Sequence, residues 1–148
     1  LVPDEPTKQI ISNAGKVYKL VQRKLQPHFD NFHLEGFVPP AYDRAQKCML
    51  RAGCIIDNVC ANNSITLSIR AVRSVAKAVI IFGKEENYNL RAIREEFKTL
   101  NRIKVFLLMP TCGEDEYTLA ESAIQSAERI VNYVIKEHKR ATACCSLQ

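Results

Sequence analysis

Apolar residues recur every three or four positions along five long stretches of this chain, and each stretch predicts a helix with one buried face. Ile10, Ala14, Val17, Val21 and Leu25 form the first stripe, placing a helix over 8–28 with Thr7 as its N-cap. Pro39-Pro40 opens a second helix to about residue 61, on Tyr42, Ala45, Met49, Ala52, Ile56 and Val59, since Pro suits the first helical turn. Asn62-Asn63-Ser64 reads as a turn. A third helix over 65–82 follows on Ile65, Ile69, Val72, Ala76 and Val79, with Gly83 ending it. The fourth, over 89–109, uses Leu90, Ile93, Phe97, Leu100, Ile103 and Leu107 and stops at Pro110. Thr118 and Glu121 have capping-box spacing, and open a fifth on Ala120, Ile124, Ala127, Val131 and Val134 to about residue 138. Residues 29–38 sustain no period and read as the one long loop.

Three of the four connections are short, which makes successive helices antiparallel. The expected fold is therefore all-α: a five-helix, mainly up-and-down antiparallel bundle. It forms a single domain over 1–148, with tails at 1–7 and 139–148. The competing fold is α/β, with a βαβ unit in 65–138. Ile65-Thr66-Leu67-Ser68-Ile69 alternates like a strand, and 78–82 and 105–109 are short apolar runs. Arg70, Arg73 and Lys77 decide for the helix. At i, i+3 and i+7 they share one helical face, whereas a strand would send Arg70 and Arg73 to opposite sides of a sheet.

Composition agrees with a globular chain. The hydrophobic fraction is 47% and the charged fraction 25%, enough apolar material for a core without staples. No apolar run approaches the roughly 18 residues of a membrane-spanning helix. The net charge of +5 is uneven, however: 12 basic and 6 acidic residues fall in 1–84, against 9 and 10 in 85–148.

That imbalance sits in a recurring basic triplet at i, i+3, i+7: Lys16, Lys19, Arg23; Arg44, Lys47, Arg51; Arg70, Arg73, Lys77; Arg91, Arg94, Lys98. In the second and fourth helices Asp43, Asp57, Glu95 and Glu96 compensate, and those faces read as solvated surface. The first and third helices hold no compensating acid. Lys16, Lys19, Arg23, Arg70, Arg73 and Lys77 are therefore the candidate binding residues. The partner is an acidic protein surface or a second copy of the chain, and the competing partner is nucleic acid.

Six Cys and the sequon Asn62-Asn63-Ser64 raise the reading of a secreted helical-bundle protein. Cys48, Cys54 and Cys60 argue against it, because steps of six residues turn them to three directions of one helix. Reduced thiols and a cytoplasmic location are expected. No HExxH, P-loop, GxGxxG or GxSxG motif occurs, so no enzyme and no cofactor are expected. His28-x-Asp30-x-x-His33 lacks a fourth ligand, and no metal site is expected. His138 falls at a predicted helix end, where positive charge is favourable.

Cys144 and Cys145 lie in a C-terminal pattern compatible with lipidation. Ser146-Leu147-Gln148 resembles the residues left when a coronavirus-type or picornavirus-type main protease cuts a polyprotein after Gln. With Leu1 in place of an initiator Met, a processed viral polyprotein product is a further reading. The function expected from these observations is a non-catalytic helical interaction or scaffold module whose basic helix faces dock an acidic partner. A nucleic-acid-binding accessory protein is the alternative.

Overall fold

The computed structural model describes residues 4–34, 36–108 and 115–146, and the side chains of all of these except 31–34, 105–108 and 144–146. Among the described residues the fold is all-helical, with six α-helices and one 3-10 turn: α1 Glu5–Lys24, α2 Gln26–Leu34, α3 Pro40–Asn62, α4 Ile65–Glu85, the 3-10 turn Arg91–Ile93, α5 Arg94–Leu108 and α6 Glu116–Ser146. The 110–113 turn, Glu114 and Leu147-Gln148 lie outside the described residues, as do the side chains of His33, Leu107, Cys144 and Cys145.

The sixth helix comes from Pro27. A proline inside a helix removes an N–H and clashes with the carbonyl four residues back, but it is tolerated in a first turn. Accordingly α1 ends at Lys24, Leu25 closes it by donating its N–H to Val21 at 2.8 Å, and α2 begins at Gln26. The loop expected over 29–38 is therefore helix as far as Leu34. At the other end Asp4, not Thr7, caps α1: its carboxylate accepts the Thr7 N–H at 2.9 Å. Thr7 is buried instead, with its hydroxyl 3.2 Å from that of Tyr117.

α3 and α4 form a hairpin with a two-residue link. Asn63 takes the left-handed conformation (φ 51°), and Ser64 caps α4 by accepting the Leu67 N–H at 3.2 Å. α4 runs through Gly83, the expected stop, to Glu85. The stop is Asn87 (φ 61°): its N–H reaches Lys84 O at 3.1 Å and the Tyr88 N–H reaches Gly83 O at 2.9 Å. This paired closure is the Schellman arrangement. Gly83 serves packing, since a Cβ there would meet Leu90 Cδ2 at 3.2 Å. α6 starts at Glu116 because Asp115, not Thr118, caps it, accepting the Tyr117 N–H at 3.1 Å. It continues through 139–146, where a tail was expected.

α1, α4 and α6 run the same way: Thr7 of α1 and Thr66 of α4 both meet the first turn of α6, while His28 after α1, Glu86 and Tyr88 after α4, and His138 late in α6 gather at the other end. These three pack on one another, α3 packs on α4 and α1, and α5 packs on α6. The predicted stripes of α1, α4 and α6 are wholly buried, and that of α3 is buried except for Ile56, which is partly so. Phe97 of α5 is the exception among described stripe positions: it is 40% exposed.

Ile69 is fully buried on α4, so Ile69→Ala should lower stability by about 2–5 kcal/mol. Leu50→Ser at an exposed position should stay within about 0.5 kcal/mol. Urea unfolding curves of the two variants check the ranking.

Candidate functional site

Two constellations of polar side chains stand out, and they differ in kind. The first is a groove between α3, α4 and α5, with a volume of about 550 Å³. Its cations come from three helices: Arg51 from α3, Arg70, Arg73 and Lys77 from α4, and Lys104 from α5. Ile55, Ala76, Ile80, Phe97 and Leu100 supply apolar surface between them, and among the described residues no carboxylate lines it.

The periodic spacing of Arg70, Arg73 and Lys77 puts all three on the α4 face opposite its core stripe, as expected, but they are not equally free. Arg70 and Lys77 are exposed, whereas Arg73 is partly buried and donates from Nε to Leu100 O at 3.3 Å. Burial, and then the charge of Arg70, push its guanidinium below the usual range. Arg73 thus ties α5 to α4 across the groove while keeping its charge in the wall.

The structure separates the other candidate residues. Lys16, Lys19 and Arg23 are exposed on α1 but line no part of this groove. The α5 region is solvated as expected, but its neutralisation within the helix is only partial. Glu95 lies 3.4 Å from Lys98, while Glu96 turns toward Arg129 of α6 at 3.9 Å. Neither carboxylate lines the groove. Arg51 and Lys104 were not singled out as site residues. The signal for Arg51 was its place in a basic triplet, whereas Lys104 carries no local signal because only tertiary packing brings it opposite α4.

The second constellation gathers His28 of α2, Tyr42 of α3, Glu86 and Tyr88 after α4, and His138 of α6 around the buried ring of Phe82. Glu86 Oε1 accepts the Tyr42 hydroxyl and lies 3.2 Å from His28 Nε2. The Tyr88 hydroxyl is 3.1 Å from His138 Nδ1, and the two imidazoles meet edge to face with centroids 5.3 Å apart. Burial, then the adjacent Glu86, push the Tyr42 hydroxyl well above the ordinary phenol range, and burial raises Tyr88 to about 12. Among the described residues no group of three or more His, Cys, Asp or Glu could hold a metal ion.

These side chains satisfy one another and clasp four helices at one end of the bundle. His138 lies well inside α6 rather than at a helix end, and the expected preference for positive charge is reversed. Burial, and then His28, lower its pKa from the ordinary 6.5, with Glu86 acting in the opposite sense. The three described cysteines, Cys48, Cys54 and Cys60, are free, with Cys48 buried and the other two exposed. Among the described residues no helix is long and apolar enough to cross a membrane.

The His138 environment gives stability a pH dependence of definite sign. The unfolded chain takes up a proton here as pH falls through 6.5, and the folded chain does so only at lower pH. The stability that neutral His138 contributes is therefore complete above 6.5 and is lost as pH falls below it. Denaturant unfolding at about pH 7.5 and about pH 5.5 should show His138→Gln losing less stability on acidification than the native chain.

No protein-family model, curated protein or solved structure matches the chain.

Proposed function

We propose that this protein is a non-catalytic interaction module that docks an acidic protein partner across the α3–α4–α5 groove. The observation that supports this reading most directly is the convergence of five cations from three helices on a groove with no carboxylate in its lining among the described residues. A merely solvated face would intersperse both signs, as the Asp43–Lys47 pair at 2.9 Å does on α3. Like charges held close together repel, and an acidic partner relieves that repulsion while displacing water from the apolar surface. Two exposed free thiols suit a reducing compartment such as the cytoplasm. Nucleic acid is the second reading because the same cations match a phosphate backbone. The apolar lining favours a protein.

Binding of polyglutamate, read across salt concentration, tests the proposal. Reversing Arg70, Lys77 and Lys104 together to Glu should weaken binding by about tenfold or more, most strongly at low salt. Arg73 is spared because it anchors α5. The matching reversal of Lys16, Lys19 and Arg23 should have little effect. Equal losses from the two triples would assign the binding to net charge and remove the groove. Tight binding of duplex RNA, with a log–log salt slope of about −0.9 per neutralised phosphate that the groove triple abolishes, would assign it to nucleic acid.

A further inference from the structure

Acidic docking accounts for the cations of the groove but not for Phe97. Its stripe neighbours Ile93, Leu100 and Ile103 are all buried, yet Phe97 is left 40% exposed. It stands where the groove meets a second depression of about 410 Å³ between the end of α4 and the start of α5. That depression is lined by Leu90 and Ile93 together with Lys84, Arg91 and Arg94, and again, among the described residues, by no carboxylate. Ile80 and Phe97 line both depressions.

The two are therefore one trench, running beside α4 from Arg70 to Lys84. Fourteen residues at 1.5 Å per residue give it a length of about 21 Å. Its chemistry is ordered across its width. Phe97, Ile80, Leu100 and Leu90 supply an apolar floor, which the Arg73 side chain crosses at Leu100. Arg70, Lys77 and Lys84 follow one edge along α4, with Lys104 and Arg94 on the α5 side.

This cross-section is the complement of an amphipathic helix whose apolar ridge is flanked by carboxylates. Residues at i, i+3, i+4 and i+7 of such a helix would meet the floor, and the residues beside them would meet the edges. A length of about 21 Å accommodates about four turns. An extended acidic chain alternates its side chains between opposite directions, so half of them would miss the floor. A phosphate backbone would engage the edges and leave Phe97 uncovered.

We infer that the occupant of the trench is an acidic amphipathic helix, laid along α4 with its apolar ridge over Ile80 and Phe97. This inference rests on the docking reading above, and the experiment separates the two. Two synthetic 18-residue peptides of identical Leu, Ala and Glu composition serve as probes. One places Leu at helical spacing with Glu on both flanks, and the other has the same residues shuffled to remove the period. Fluorescence anisotropy reads affinity, and circular dichroism reads peptide helicity on binding.

The ordered peptide should bind at least about tenfold more tightly than the shuffled one and gain helicity when bound. Phe97→Ala should abolish that preference while leaving the affinity for the shuffled peptide unchanged. Arg94→Glu, an exposed change that leaves the floor intact, should weaken the ordered peptide. Equal binding of the two peptides, or no effect of either variant, overturns the helix proposal and leaves acidic docking standing. Failure of both peptides and of polyglutamate to bind overturns both readings.

Discussion

Everything in this structure is arranged around the need to bury three sides of α4 while leaving the fourth in water. α1, α3 and α6 all pack on it. The small side chains of Ala71, Ala76 and Ala78, all buried, permit those close approaches. The remaining face carries Arg70, Arg73, Lys77 and Lys84. Covering it with a helix that brings no opposite charge would cost several kcal/mol per buried cation. α5 accordingly packs mainly on α6 and stands further off from α4, to which the long Arg73 side chain reaches across at the Leu100 carbonyl. The trench is the space left by that unfinished packing.

Most of the fold was legible because helical periodicity reports burial directly. The stripes of α1, α4 and α6 are buried as the spacing requires, and Arg70, Arg73 and Lys77 correctly told helix from strand. The errors have identifiable causes. Pro27 signalled the break between α1 and α2, but the continuity of Ile10 to Leu25 overrode it. Gly83 looked like a helix stop, although a glycine is equally a site of close approach, which is its use against Leu90. Asn87, able to adopt positive φ, was the true terminator. Thr7 and Thr118 were outcompeted as caps by Asp4 and Asp115, each three residues earlier and anionic, which suits the positive end of a helix better.

The candidate site divides along the same line. The α4 part of it lies on one helical face and so was visible as a spacing. Arg51 and Lys104 reach the groove from elements whose positions depend on tertiary packing, and no local pattern announces such convergence. The clasp of His28, Tyr42, Glu86, Tyr88 and His138 is the extreme case: its members are spread over 110 positions and come from three helices and the segment after α4. Tyr42 read as a core position of its helix and His28 as part of an incomplete ligand pattern, and no local spacing links either to Glu86, Tyr88 or His138. Exposed Phe37 and Leu50 show that an apolar residue in water is not by itself a signal; Phe97 became informative because its stripe neighbours are buried.

The two faces of α4 also differ in how much change they tolerate. A substitution on the inner face is felt by three helices at once, since Val72, Val75 and Val79 are fully buried. A substitution at exposed Arg70 or Lys77 meets water and whatever lies in the trench. The residues that hold the bundle together and those that line the trench are therefore largely separate sets interleaved along one helix, with Arg73 belonging to both. Descendants of this chain are free to rewrite the outer face while inheriting the fold unchanged.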